Sequence, residues 1–182
     1  MQRAIVTPPV LASDALAELK DWLAITTDRD DGPLTSLILA GLEMCEAFTR
    51  QMPLECTCEE VLKPGADWQR LMTVPVQTIE AVEAIAADGS RQPLPASAYA
   101  VTLDPDGGGR IRITAVAGDG RVAVRFSAGM AAGWNGLPIG IRHGIIRLAA
   151  HHYRQRDPDG TSASPPAAVA ALWQPWRRLR IT

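Results

Sequence analysis

The chain predicts an α+β fold: an N-terminal antiparallel helical hairpin, a small antiparallel β-sheet inserted after it, a long third helix and a flexible C-terminal tail. Three observations predict it. Apolar residues recur at helical spacing over residues 14–51 and again over 138–155. Between them lie short runs of alternating character, punctuated by Asp-Gly and Gly-Gly turns. Residues 156–166, RDPDGTSASPP, have no apolar periodicity and are dense in Pro, Gly, Ser and Asp.

Ser13 suits the N-cap of a first helix over residues 14–23, in which Leu16, Leu19 and Leu23 share a face. A DDGP turn at residues 30–33 opens a longer helix that ends near Gln51, before Pro53. Its stripe is Leu34, Leu37, Ile38, Gly41, Leu42, Cys45 and Phe48. The two helices form a hairpin that cannot bury both stripes alone. On the outer side of the second helix Ala40 and Ala47 flank Glu43. Small residues there permit close approach by another subunit, and they are also good helix formers.

The middle reads as sheet, with strands over residues 54–62, 71–86, 99–103, 110–116 and 121–127. Turns fall at Asp88-Gly89, at residues 107–109 and at Asp119-Gly120. The last two strands alternate most clearly. Ile111 and Ile113 interleave with Arg110 and Arg112, while Val122, Val124 and Phe126 interleave with Arg121 and Arg125. That pattern predicts a hairpin with one apolar face on a core and one arginine-rich face.

The third helix runs over residues 138–155, with Pro138 in its first turn. Ile141, Ile145, Leu148 and His152 line one face; His143, Arg147 and Arg154 line the other. Residues 1–155 are thus expected to form one body, 156–166 a flexible linker and 167–182 a tail. In that tail Pro165 and Pro166 open a short helix, Ala167 to Trp173, which Pro175 stops. The end reads LWQPWRRLRIT. Tryptophan and arginine are enriched in binding hot spots. Two readings stand side by side: the segment folds back on its own domain, or it docks on a partner through Trp173, Trp176, Arg177, Arg178, Leu179 and Arg180.

The length of 182 residues suffices to bury a real core, and 47% hydrophobic with 21% charged residues is ordinary for a globular protein. No apolar run approaches the roughly 18 residues of a membrane span. The beginning, MQRAIVTPPVLA, lacks the pattern of a secretory signal, so a cytoplasmic site of synthesis and use is expected. The net charge of −2 hides an asymmetry. Residues 13–60 carry −8, whereas residues 140–182 carry +5. Unlike patches of this kind suit head-to-tail association between identical subunits, although most charge runs are solvated faces.

The ordered set of segments resembles the head–tail connector (neck adaptor) proteins of tailed bacteriophages and of gene transfer agents. The segments are ALAELKDWLAI (15–25), LTSLILAGLEMCEAFTRQ (34–51), TVPVQTIEAVEAI (73–85), AGM (128–130), LPIGIRHGIIRLAAHHYRQRD (137–157) and WQPWRRLRI (173–181). No single segment is diagnostic; their order over nearly the whole chain carries the resemblance. It implies a structural subunit of a ring, commonly dodecameric, beneath the portal of a filled head. Such a ring continues the DNA channel, with DNA only as passenger, and offers a surface to a stopper or tail-completion protein. It also implies that the C-terminal segment grips the portal. The expected location is the neck of a virion or gene transfer agent particle assembled in a bacterial host. Ala40, Glu43, Ala47, His143, Arg147 and Arg154 are the candidate subunit interface.

Residues with catalytic or ligating chemistry fall into no working pattern. Cys56 and Cys58 point to one side of a strand, which is half a zinc site without a second pair. Cys45 sits on a helical stripe as a core thiol. His151-His152 is not part of an HExxH, and the GGGR and GDGR stretches lack the Lys-Ser/Thr of a phosphate loop. No catalytic residue, metal or cofactor is therefore expected, and no enzyme activity. The alternative function is a small nucleic-acid-binding module using the basic third helix, the strand arginines and the tail. Against it stands the slightly acidic net charge.

Overall fold

The computed structural model describes residues 2–114, 120–155 and 164–178. Helices and antiparallel sheets divide between two compact units, Met1–Pro9 with Glu55–Gly129, and Val10–Leu54 with Met130–Thr182. This is not the expected division into one body over 1–155 and an appended tail. The sheet forms a unit of its own, and the C-terminal helix belongs with the other helices because its apolar residues are buried among them.

In the helical unit, α1 (Ser13–Leu23), α2 (Asp31–Thr49), α3 (Ile139–Gln155) and α4 (Ala167–Trp173) enclose one core. Ala15 and Leu19 of α1 meet Leu34, Ile38, Leu42 and Cys45 of α2, and Ile141, Ile145, Leu148 and Ala149 of α3, all buried. The predicted stripes are therefore the packed faces. Gly41 lets α2 approach α3, since a Cβ there would lie 3.1 Å from Ile145 Cγ2. The start of α1 differs from expectation. Ser13 is already helical, and the N-cap is Ala12, extended at φ −69° and ψ 151°, with no side-chain capping bond. Both hairpin helices end on non-glycine residues in the left-handed region, Ala24 at φ 57° and Arg50 at φ 62°. Their N–H groups satisfy carbonyls of the last turn.

In the sheet unit, five antiparallel strands run in the order β1-β2-β8-β4-β5 and three in the order β3-β7-β6. Their ranges are β1 Gln2–Thr7, β2 Cys56–Leu62, β3 Gly65–Arg70, β4 Val76–Ile85, β5 Arg91–Pro93, β6 Tyr99–Leu103, β7 Gly109–Ile113 and β8 Arg121–Ala128. Three strands, β1, β3 and β5, were not expected. All are mostly exposed, so burial imposes no alternation on their sequences.

The expected hairpin of residues 110–116 with 121–127 does not form. β7 pairs with β3 and β6, whereas β8 pairs with β2 and β4. As the central strand, β8 is covered on both faces, with Val122, Ala123, Val124, Phe126 and Ala128 all buried. A two-stranded hairpin on a core would leave one of those faces open. Asp119 and residues 115–116 lie outside the described residues. The long strand expected over 71–86 begins only at Val76, because the amides of Met72 and Thr73 turn toward Glu60.

Candidate interaction surfaces

The C-terminal segment folds onto its own unit as far as the description reaches. Trp173 is fully buried, and its Nε1 donates to the Ile141 carbonyl at 3.2 Å. It is not on the surface, as a free docking anchor would be. The indole crosses α3 at Gly144, where a Cβ would overlap Trp173 Nε1 and lie 2.8 Å from Cε2. Only glycine leaves that room. Phe48, at the end of α2, packs against Trp173 with centroids 6.0 Å apart, and the Arg177 guanidinium lies 5.4 Å from the Phe48 centroid. The Arg178 N–H donates to the Thr49 carbonyl at 2.9 Å, which occupies an open carbonyl of the α2 end. Gln51 Nε2 donates to the Trp176 carbonyl at 2.5 Å. Trp176 itself stays 38% exposed, near Gly140 of α3, where a Cβ would lie 3.7 Å from its Nε1. Leu179 and Arg180 lie outside the described residues, as do residues 156–163 of the expected linker.

The other expected interface residues fall on two helices of the same unit. Ala40, Glu43 and Ala47 are exposed on α2, next to Leu39. Arg147 and Arg154 are exposed on α3, whereas His143 is half-buried, edge-on to Trp22 at 5.1 Å. On α1, Lys20 Nζ lies 2.7 Å from Asp28 and 2.7 Å from Asp31. Its hydrogen bonds to those carboxylates raise the Lys20 pKa and lower that of Asp28.

The sheet unit concentrates charge on its outer faces and in one buried site. Glu59 sits between Arg91, at 2.7 and 2.8 Å, and Arg125, at 3.6 Å. The Arg91 hydrogen bonds hold the Glu59 carboxyl below the usual carboxylate range. Glu60 is fully buried on the apolar face, where it accepts from the Met72 and Thr73 amides and from Thr73 Oγ1 at 2.9 to 3.1 Å. That carboxylate fixes the chain between β3 and β4. On the small sheet, Arg112 lies 5.1 Å from the ring centroid of Trp68, and Arg70 stands opposite Arg110.

Cys56 and Cys58 are buried with their sulfurs 3.5 Å apart, and Cys45 is buried on α2. Burial pushes the Cys45 thiol up to about 12, and the Cys56 contact with burial raises Cys58 further. Such protonated thiols are poor nucleophiles and ligands at neutral pH. Among the described residues no three His, Cys, Asp or Glu side chains converge to hold a metal ion. No described helix is long and apolar enough to cross a membrane.

Sequence reasoning missed Gly144, Glu60 and Trp68. A glycine inside a helical pattern is a signal of close packing and was available for Gly144. Glu60 and Trp68 carry no local signal, because their roles depend on partners chosen by the sheet.

The described residues form four helices and two antiparallel sheets, and their buried polar side chains are held by partners within the chain. Solved structures bear directly on the class. The chain is similar over 100% of its length to a chain in the neck of an empty gene transfer agent particle computed with C6 symmetry, at 27% identity and a TM-score of 0.82. It is similar to a chain in the neck of the native particle computed with C12 symmetry, at 28% identity and 0.79. It is also similar to one in the virion of a native gene transfer agent particle, at 29% and 0.76. In each case 98% of the other chain is covered. No protein-family model matches the chain, and no curated protein does. In fold and in sequence the chain is similar to chains from the necks of gene transfer agent particles.

Proposed function

We propose that the chain is a structural subunit of the neck of a gene transfer agent or phage particle. Its copies form a ring that continues the DNA channel beneath the portal and joins the head to the tail or stopper. The observation that carries this reading is the full-length likeness to neck chains of particles treated with C6 and C12 symmetry. A ring needs heterologous contacts, in which two different surfaces of one subunit meet its neighbours. The exposed side of α2 around Ala40, Glu43 and Ala47, and the basic side of α3 around Arg147 and Arg154, are the surfaces offered for such contacts. The role is mechanical: it requires no cofactor and no catalytic group.

For the portal, the reading places Trp176, Arg177 and Arg178, with Leu179 and Arg180 beyond them, at the contact. Trp173 supports that surface from beneath, by holding the segment to α3. Removing the coding sequence in the organism that encodes it should leave DNA-filled heads without tails, restored by supplying the gene in trans. Tailed, infectious or transferring particles formed without the chain would end this reading.

A further inference from the structure

The helical unit carries a groove that nothing among the described residues fills. It is open, about 420 Å³, and lined by Leu16, Ala17, Lys20, Asp21, Ile25 and Thr26, with Ser13 at its end. Leu16 and Ile25 are half-buried and give it an apolar floor. Its rim is acidic. The one lysine is committed to two carboxylates, Asp28 and Asp31, and Asp21 is exposed with no partner among the described residues.

The sheet unit carries a projection of opposite character. Trp68 and Arg70 are two residues apart on β3, so they point to one face of the small sheet. Arg110 and Arg112 of β7 share that face, as the Arg70–Arg110 pairing and the stacking of Arg112 on Trp68 establish. Three guanidinium groups meet one carboxylate there, Asp104, which binds Arg110 at 2.6 Å. The Nε atoms of Arg110 and Arg112 are buried without a hydrogen-bond partner. Trp68 remains 42% exposed beneath its arginine. An exposed tryptophan ringed by arginines is an anchor without a socket.

Resting on the ring reading above, we propose that the socket is the α1 groove of a second copy: Trp68 enters the apolar floor between Leu16 and Ile25, and Arg70 and Arg112 face Asp21 and the Asp28–Asp31 pair. The two surfaces are different, so each copy uses its projection on one neighbour and its groove on the other. Contacts of that kind propagate in one direction and close when the rotation permits.

The test traps the contact covalently in the full chain. The native cysteines are buried and do not compete. An Ala66→Cys variant, two residues before Trp68 on β3 and leaving that anchor in place, is mixed with an Ala17→Cys variant at high concentration under mild oxidation. The pair should form a mixed disulfide about tenfold faster than Ala66→Cys with an Ala132→Cys control, which is also exposed. Arg70→Glu in the first partner should lower that rate about tenfold, and Asp21→Arg in the second should restore it. A chain carrying both cysteines should give a ladder of multimers. Equal rates for the two mixtures, or a disulfide formed within one chain, overturn the proposal. So does retention of duplex DNA that Arg70→Glu abolishes, since the face would then serve nucleic acid. Mass spectrometry of purified particles separates the two readings: particles whose chain carries both introduced cysteines but no disulfide between them sink this contact alone, and a parent chain absent from particles sinks the neck reading.

Discussion

The helical unit and the sheet unit protect their interiors by opposite means. Around α3 the core is filled by aliphatic side chains and by Trp134 and Trp173, whose indole N–H groups are satisfied by Glu18 at 2.9 Å and the Ile141 carbonyl at 3.2 Å. In the sheet unit a carboxylate, Glu60, sits fully buried on the apolar face and is satisfied by amides of a neighbouring loop. One interior is held by volume, the other in part by a charged acceptor. A packed side chain is replaced best by another of its size, whereas a buried acceptor is replaced best by another acceptor.

The largest effect should follow from removing volume. Trp173→Ala opens a cavity under α3 and strips the cover from Phe48, at a cost of about 3–5 kcal/mol. Chemical unfolding measures it, and Trp173→Phe should recover a substantial part. Gly144→Ala presses a methyl into the indole and should destabilise by about 1–3 kcal/mol or more. It follows that deleting residues 171–182 destabilises the helical unit, instead of leaving an intact body as a free tail would. A truncation with unchanged unfolding midpoint would show that the helical interior does not depend on Trp173.

Next in size is the buried acceptor. Glu60→Ala orphans the amides of Met72 and Thr73, at about 2–3 kcal/mol. Glu60→Gln keeps a carbonyl for them and should cost less, while the larger, apolar Glu60→Leu should not rescue. If leucine rescued and glutamine did not, the distinction between the two interiors would fail.

A smaller effect concerns pH. Glu59 has its folded pKa depressed, chiefly by the Arg91 hydrogen bonds. The unfolded chain therefore binds the proton more readily, and the stabilisation present above the ordinary glutamate range is lost as pH falls through the lower folded value. Arg91→Met should flatten this acid dependence and cost about 1 kcal/mol at neutral pH. The partner is half-exposed, so salt should weaken the effect. His152 of the helical unit adds a dependence of the same sign at higher pH. Burial, and secondarily His151, lower its folded pKa, so stability falls as pH drops below the usual histidine value. Unfolding midpoints from pH 8 to 3, compared between the parent, Arg91→Met and His152→Gln, separate the two windows.

The same contrast explains what could be read from the sequence. The stripes of α1, α2 and α3 were legible because a helix chooses its own hydrogen-bond partners, and spacing alone selects the buried face. α4 was legible down to its bounds, from Pro166 before it to Pro175 after it. Whether Trp173 faced inward was not, since that depends on Gly144 nearly thirty residues earlier. Strands are another matter. Arg110 to Ile113 and Arg121 to Phe126 alternate as a hairpin should, yet the first pairs with β6 just before it and with β3, and the second with β2 and β4, never with each other. Alternation shows that a strand exists and leaves its partner open. The projection at Trp68 was illegible for the same reason, because it is assembled from separate strands.

The smallest effect on folding should come from the residues given the largest role in assembly. Trp176 is more than a third exposed, and its backbone carbonyl, rather than its ring, receives Gln51. Arg177 rests on Phe48 by a cation–π contact at the surface, worth about 0.5–1 kcal/mol. Trp176→Ala and Arg177→Ala should therefore each shift the unfolding free energy by no more than about 1 kcal/mol. Recruitment to DNA-filled heads should fall far more, because an aromatic anchor at a protein contact costs about 2 kcal/mol or more when truncated, roughly thirtyfold in affinity. Folding and recruitment are then separable at these positions and inseparable at Trp173. Quantifying the chain in gradient-purified heads, alongside unfolding curves of the same variants, decides the matter. Should Trp176→Ala enter heads at the parent level, the attachment lies on another surface, and the exposed basic side of α3 at Arg147 and Arg154 becomes the next to test.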